Sequence, residues 1–296
     1  EEINAYHLGF VIGPRLNAAG RLASAGAALD LLMEADAGRA AALAKDLDSA
    51  NRERRQIEDA IRLEAEQEID AGFRVGETFG IVAGRRGWHI GTVGIVASRL
   101  CGKYRRPAVV IGFDEEGHGR GSCRSIEEID LMDVLRGCAE LLTTFGGHKM
   151  AAGVGIEEGR LGAFQSRFNE LCGERLKGRD LRRVQRVDAW IGLGEADTRL
   201  FKAIQQLQPF GLGNPAPIFG VRGVQILGEP RVVGYKHLKM QIASGGTQLE
   251  AIAFGMADAS VPQGDIDLLF QIEQNTYLGR TRLQLNVKDF RSAGAR

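Results

Sequence analysis

The stretch Gly146-Gly147-His148-Lys149-Met150-Ala151-Ala152-Gly153 decides how this chain is read. Its paired glycines let another molecule approach the main chain closely. His148 and Lys149 offer nitrogen donors to a phosphate, and the small residues that follow let the next segment seat tightly. On its own the string reads more often as a tight turn entering a packed strand, so its meaning rests on its flanks.

Working outward, the segment after Gly72 alternates strands with helices. Phe79–Ala83 and Pro107–Phe113 read as short buried strands and His118–Arg124 as a third, with a helix over Thr92–Cys101 between the first two. Helices over Asp130–Thr143 and Leu161–Leu176 flank a last strand beginning near Ala151, which predicts an α/β domain over residues 72–178. Before it, the residues between Gly38 and Asp70 include no glycine or proline, and Leu43, Leu47, Ala50, Arg54, Ile57, Ile61 and Ala65 recur at spacings of three and four. That pattern predicts one long interdomain helix over 38–71, ~45 Å from end to end. Arg52, Arg54, Arg55 and Glu58 read as its solvated face. Residues 1–37 read as the tail of a preceding domain with an entry loop at Gly13-Pro14, followed by a short helix over Ala25–Ala35.

Beyond the charged linker Arg179–Arg183 the pattern changes to strands. Val184–Ile191, Pro217–Leu227, Arg231–Val233, Leu238–Ala243, Gln248–Phe254, Ile266–Ile272 and Arg282–Val287 alternate or run apolar between glycine-rich turns, interrupted by a helix over Asp197–Leu207. Short, closely spaced strands with one helix predict an oligonucleotide-binding (OB) barrel over 184–291. The fold class expected is therefore α/β plus all-β.

Several other segments suit an anion. In Gly119-Arg120-Gly121-Ser122-Cys123-Arg124-Ser125, the alternation of a strand points Ser122 and Arg124 to one face, where a hydroxyl and a planar guanidinium can share one phosphate; a solvated edge strand is the plain alternative. Trp88-His89-Ile90-Gly91-Thr92-Val93-Gly94 enters a helix through glycines, and the free N–H groups of a helix start favour an anion, although the glycines equally serve packing and Trp88 a core. Arg15, Asn17 and Arg21 lie in the loop-like string GPRLNAAGRL, where they suit a nucleic-acid backbone or a local pairing. Phe210, in the turn-rich Pro209–Pro217, reads as a staple to the barrel core.

Composition narrows the class. The chain has 296 residues, 44% hydrophobic and 26% charged, as expected of a globular protein with a core. The formal net charge of zero hides an asymmetry: residues 1–71 carry 8 Lys+Arg against 14 Asp+Glu, 72–183 carry 18 against 14, and 184–296 carry 12 against 10. The mildly basic middle and end suit a polyanion. No apolar run approaches a bilayer span and the first residues resemble no targeting signal, so the expected location is cytoplasmic. Cys101, Cys123, Cys138 and Cys172 have no zinc or disulfide spacing. His7, His89, His118, His148 and His237 are scattered, with no Asp/His cluster of the kind that holds two divalent ions, and there is no P-loop or nucleophile elbow. No metal ligands are expected from this chain.

GPRLNAAGRL, the long charged helix, WHIGTVGIVASRLCGKYRRPAVVI, GRGSCRS, GGHKMAAG and PFGLGNPAPIF together resemble the carboxy-terminal half of the RecJ family, bacterial single-strand-specific 5′-to-3′ DNA exonucleases of the Asp-His-His (DHH) phosphoesterase superfamily. The likeness covers essentially the whole chain. GGHKMAAG alone is shared with nano-RNA and cyclic-dinucleotide phosphodiesterases, and the trailing barrel with PFGLGNPAPIF narrows it to RecJ.

The resemblance implies that residues 72–178 are a DHH-associated domain. It implies further that phosphodiester hydrolysis, for DNA recombination and repair, needs Mn2+ or Mg2+ held by a DHH domain missing from this sequence. Single-stranded DNA would thread between that domain and the DHH-associated one. His148 would support the scissile phosphate with Gly146, Gly147 and Lys149 beside it. Ser122 and Arg124 would hold the 5′-terminal phosphate, with Arg21, Asn17 and His89 as companions, and the barrel would bind the incoming strand. The partners implied are single-stranded DNA with a 5′ end, single-strand-binding protein and a RecQ-type helicase, with no membrane, the protein acting as a monomer. The alternatives are a non-catalytic single-stranded nucleic-acid-binding module and a nano-RNA or cyclic-dinucleotide phosphodiesterase of the same superfamily.

Overall fold

Spacing and capping between Ala37 and Gly72 produce one continuous helix in the computed structural model, which describes residues 3–22, 24–181, 184–211, 213–277 and 279–295. Within the expected linker and turn, Arg182, Arg183 and Leu212 lie outside the described residues. The chain forms two compact units, Glu1–Arg183 and Val184–Arg296.

In the first unit a π-helical segment, His7–Ile12, runs directly into α1 (Gly13–Leu22), followed by α2 (Gly26–Met33) and α3 (Ala37–Gly72). The expected loop at Gly13-Pro14 is therefore helical. Pro14 has no N–H to continue the ladder, and the wider π-helical turn before it, where the Gly13 N–H bonds the Leu8 carbonyl, accommodates the proline while the Arg15 guanidinium donates to the Val11 carbonyl at 2.7 Å across the junction. Asp36 caps α3 by accepting the Arg39 N–H at 2.8 Å. The buried positions of α3 are Leu47, Asn51, Arg54, Glu58, Ile61 and Ala65, a stripe at alternating spacings of four and three. Arg54 and Glu58 thus leave the solvated face the sequence assigns them. Arg54 donates to Glu58 at 2.7 Å and to Asn51 at 3.0 Å, and Arg99 pairs with Glu58 from a neighbouring helix, so the charges are buried together.

That neighbour is α4 (Val93–Tyr104), part of an α/β assembly with α5 (Leu131–Arg136), α6 (Leu161–Leu176) and strands β1 (Ile81–Arg86), β2 (Ala108–Phe113), β3 (His118–Arg124), β4 (Thr144–His148) and β5 (Ala151–Glu157). The sheet order is β1-β2-β3-β5-β4, with β1 and β2 parallel and the other pairs antiparallel. β2 is buried along its entire length, which is why it reads as an unbroken apolar run. β3 is central, which removes the edge-strand alternative. The helix expected over Asp130–Thr143 stops at Arg136, capped at Gly137, and after a single 3-10 turn the chain becomes β4. GGHKMAAG is accordingly a hairpin: it turns at Lys149-Met150 into β5, the strand expected from Ala151, and the strand before the turn, β4, is one that the sequence reading did not include.

The second unit holds β6 (Ala189–Trp190), α7 (Thr198–Gln205) and β7 to β12: Phe219–Ile226, Arg231–Val233, His237–Ser244, Thr247–Ala253, Ile266–Tyr277 and Arg280–Ser292. The order β6-β7-β11-β12-β10-β9-β8, with an additional β7–β9 pairing at Gln225↔Ala243 and Ile226↔Ile242, returns the ladder to β7 and gives an OB-like arrangement. The expected strand over Val184–Ile191 shrinks to two paired residues, whereas β11 and β12 outrun their predicted ends as one long hairpin. Phe210 packs against this unit's core.

Candidate anion-binding face of the α/β unit

Strand alternation puts Arg120, Ser122 and Arg124 on one face of β3, and ladder register carries that face outward to β5 and β4. Arg124 lies opposite Ala151, which lies opposite His148; Ser122 lies opposite Gly153 and then Gly146; Arg120 lies opposite Gly155 and then Thr144. α4 packs on β2 and β3, while farther out Gly146 and Gly153 are exposed. A side-chain carbon added at Gly146 would meet nothing within 4 Å, and one at Gly153 only the Gly121 carbonyl at 3.8 Å. The result is an open floor of main chain bordered by cations. Gly147 differs: its φ of +150° and the proximity of Ala151 and Ala152 require glycine.

At one corner, the Arg124 guanidinium donates to Ser122 Oγ and to the Cys123 carbonyl, both at 2.8 Å. The start of α4 sits against this pair, since a carbon added at Gly94 would lie 3.0 Å from Ser122 Oγ and 3.2 Å from an Arg124 nitrogen. Thr92 caps α4 without a side-chain bond to the helix; its hydroxyl donates instead to the His89 carbonyl at 2.9 Å. The positive end of the helix therefore faces the guanidinium and hydroxyl. His89 Nδ1 accepts the Gly91 N–H at 3.1 Å, which leaves Nε2 to carry the proton of the neutral ring. Arg21 donates to the Gly91 carbonyl at 3.2 Å, and the Arg21 carbonyl lies so close to Gly91 that no side chain fits between them. Arg21, His89, Ser122 and Arg124 are thus brought into one neighbourhood by α1, the loop into α4 and β3.

His148 is exposed at the end of β4, two strands from Arg124, roughly 10 Å away by strand spacing. The hairpin it belongs to is pinned, because the Leu131 N–H bonds the Lys149 carbonyl and the Ser125 N–H bonds the Met150 carbonyl, both at 3.0 Å. The Lys149 side chain is exposed beside it. Asn17 is exposed one helical turn before Arg21, and no contact joins it to the cluster among the described residues. Arg15 is committed elsewhere, to Asp48 at 2.9 Å. Trp88 is a core residue whose Nε1 donates to Glu64 at 2.9 Å. Sequence reasoning missed Arg120, although the two-residue alternation that selects Ser122 and Arg124 selects it as well.

The face has little to attack a bond with. Among the described residues no three His, Cys, Asp or Glu side chains are grouped to hold a metal ion. All four cysteines are buried, and burial pushes the Cys123 thiol up to about 12 and Cys138 up to about 11, far from thiolate chemistry. Donors without a base or a metal can bind and orient an anion. In the second unit, Trp190 is 43% exposed with the Arg222 guanidinium 4.4 Å above its ring, an aromatic and cationic surface that the sequence reading did not single out. No helix among the described residues is long and apolar enough to cross a membrane.

Comparison with known proteins defines the class first: residues 77–174 match the DHHA1 domain model and residues 187–289 the RecJ OB domain model. The chain belongs to the RecJ family, as the portion that carries these two domains. It is 35% identical over 299 residues to the single-stranded-DNA-specific exonuclease RecJ of Bacillus subtilis, covering 97% of this chain and 37% of that protein. The Haemophilus influenzae RecJ is 36% identical, with 97% and 52% covered. The crystal structure of Thermus thermophilus RecJ in complex with Mn2+ matches with a TM-score of 0.82 at 30% identity, over 99% of this chain and 42% of that one. The chain spans about half or less of the length of these relatives.

Proposed function

We propose that this chain is the substrate-binding portion of a single-stranded-DNA-specific 5′-to-3′ exonuclease of DNA recombination and repair. One observation carries the reading: the half-buried Arg124 guanidinium makes its hydrogen bonds to a hydroxyl and a carbonyl, with no carboxylate partner among the described residues, at the start of α4. Such a group retains its charge for an incoming phosphate, and Ser122 adds a neutral donor to the same oxygens. Arg21 and His89 flank a 5′-terminal phosphate held there, with Asn17 one helical turn away from Arg21. Farther along the floor, His148 and Lys149 face the scissile region, with Gly146 and Gly147 admitting the backbone. The OB unit takes the incoming strand, and Trp190 with Arg222 offers a base a flat surface.

The described residues do not fit a divalent ion, so Mn2+ or Mg2+ in the complete enzyme is assigned to residues outside this chain. This portion contributes positioning and electrostatic clamping. The enzyme works in the cytoplasm as a monomer, alongside single-strand-binding protein and a RecQ-type helicase; this part of the reading rests on the family alone.

The test follows a labelled single-stranded oligonucleotide with the 296-residue chain, with and without Mn2+, measuring binding and cleavage together. Salt-sensitive binding without cleavage is expected, with a log-log salt slope of roughly −0.7 per phosphate contacted. Rapid Mn2+-dependent degradation by the chain alone, or no binding at low salt, contradicts the reading.

A further inference from the structure

We infer that the glycine floor carries a second phosphate subsite, formed by Arg120, Thr143 and Thr144 around Gly155, which holds a different phosphate of the same strand from the one at Ser122 and Arg124. The inference rests on the proposed function and extends it. Arg120 is exposed on the same face as Ser122 and Arg124, with no hydrogen bond or ion pair among the described residues. Its cross-strand neighbours in register are Gly112 on β2 and Gly155 on β5, so no side chain flanks the guanidinium on either strand. Glycine is required at Gly112, and a side chain at Gly155 would displace two threonine hydroxyls. The Trp88 carbonyl crosses directly over Gly112, and a carbon added at Gly155 would lie 2.6 Å from Thr144 Oγ1 and 2.7 Å from Thr143 Oγ1.

Those two hydroxyls therefore lie over Gly155, on the strand adjacent to Arg120, and neither makes a side-chain hydrogen bond among the described residues. Paired positions in an antiparallel ladder stand about 4.5–5.5 Å apart, well within the reach of an arginine side chain. The main chain is held, since the Thr143 N–H donates to the Gly155 carbonyl at 2.9 Å. A guanidinium on one strand and two hydroxyls over the neighbouring strand, all with unused donors, can meet the oxygens of one phosphate diester. Two acids lie beside His118 at the next rung, Glu157 on β5 and Asp114 just past β2, and neither forms an ion pair with Arg120 among the described residues.

The Arg124 guanidinium is hydrogen-bonded at the Ser122 rung, whereas the threonine hydroxyls lie over Gly155 at the Arg120 rung, roughly 7 Å along the strand, so a phosphate seated on the threonines is not the one seated on Ser122. The two subsites therefore fix the direction of the strand across the floor as well as its end.

The experiment is a methylphosphonate scan. A set of 5′-phosphorylated single-stranded deoxyoligonucleotides, each with one internucleotide phosphate made neutral, is titrated against the unmodified chain and its Arg120→Ala, Arg120→Lys, Thr143→Val/Thr144→Val and Arg124→Ala variants. Arg120→Ala should weaken binding of the all-phosphate strand by about tenfold, with partial rescue by lysine. That loss should vanish at one neutralised linkage, the same one for the threonine double variant, while Arg124→Ala remains coupled to the terminal phosphate. Thermal midpoints matching the unmodified chain confirm that each variant folds. The inference is overturned if no linkage couples to Arg120, or if the same phosphate couples to Arg120 and Arg124. If the unmodified chain binds no oligonucleotide, the proposed function itself has failed.

Discussion

Arginine has two uses in the first unit, one along the helices and the other on the sheet face. On α3, α4 and β1, Arg54 and Arg99 pair with Glu58, Arg62 with Glu66, and Arg85 with Glu64. On the face of β3 and at the end of α1, Arg21, Arg120 and Arg124 have no carboxylate partner among the described residues. A guanidinium paired with an acid braces structure and offers an anion little net charge. One held by carbonyls and hydroxyls keeps its full charge in a defined position. The presence or absence of an acid, more than the arginine itself, separates scaffold from binding face.

The comparison breaks most visibly at Glu58. Removing this buried carboxylate by Glu58→Ala leaves Arg54 buried without a counter-charge, and urea unfolding should show a loss of about 3–5 kcal/mol. Arg124→Ala should leave the unfolding midpoint close to that of the unmodified chain, because it deletes no ion pair. Equal destabilisation by the two substitutions would erase the distinction.

Adjacent glycines in the hairpin sharpen it. Gly147→Val forces a side chain into the Ala151–Ala152 backbone at positive φ, and should cost about 1–3 kcal/mol or more. Gly146→Val enters open space and should stay within about 0.5 kcal/mol of the unmodified chain while weakening oligonucleotide binding. If Gly146→Val leaves binding unchanged, the floor does not carry the strand.

The smallest effect is on the helical side and appears at high pH. Burial, with the hydrogen bond to Asp70, pushes the Tyr104 hydroxyl up to about 12 from 10.0. The raised value means that the folded state keeps this proton longer. The stabilisation is complete below pH 10 and disappears as the pH rises toward 12. Ultraviolet titration should show one late phenol, and Tyr104→Phe should remove that part of the alkaline loss; phenols that all ionise together near their ordinary value would contradict it.

Much of this was readable from sequence because periodicity reports burial. The unbroken run Ala108–Phe113 marks the strand buried on both faces, and alternation places Ser122 beside Arg124. The long helix follows from its spacing, but the burial of Arg54 and Glu58 did not, since charged residues at three- and four-residue spacing look the same whether they face water or each other. GPRLNAAGRL reads as a loop because a glycine-proline pair signals a turn unless a helix is already under way before it, as happens at His7–Ile12. β4 was hidden for a different reason. Thr144-Phe145-Gly146-Gly147-His148 has little strand propensity, and pairing with β5 supplies what the residues lack. The approach of Arg21 to Gly91 joins elements about seventy residues apart, a contact that no local pattern encodes.

The most direct test of the central claim, that the Arg124 guanidinium and the Ser122 hydroxyl form a 5′-phosphate site, is a fluorescence-anisotropy titration of one single-stranded oligonucleotide carrying either a 5′-phosphate or a 5′-hydroxyl. The unmodified chain should bind the phosphorylated strand about tenfold more tightly, and Arg124→Ala should abolish that preference while retaining the residual, salt-sensitive binding of both strands. Equal binding of the two ends by the unmodified chain, or a preference that survives in Arg124→Ala, would contradict it.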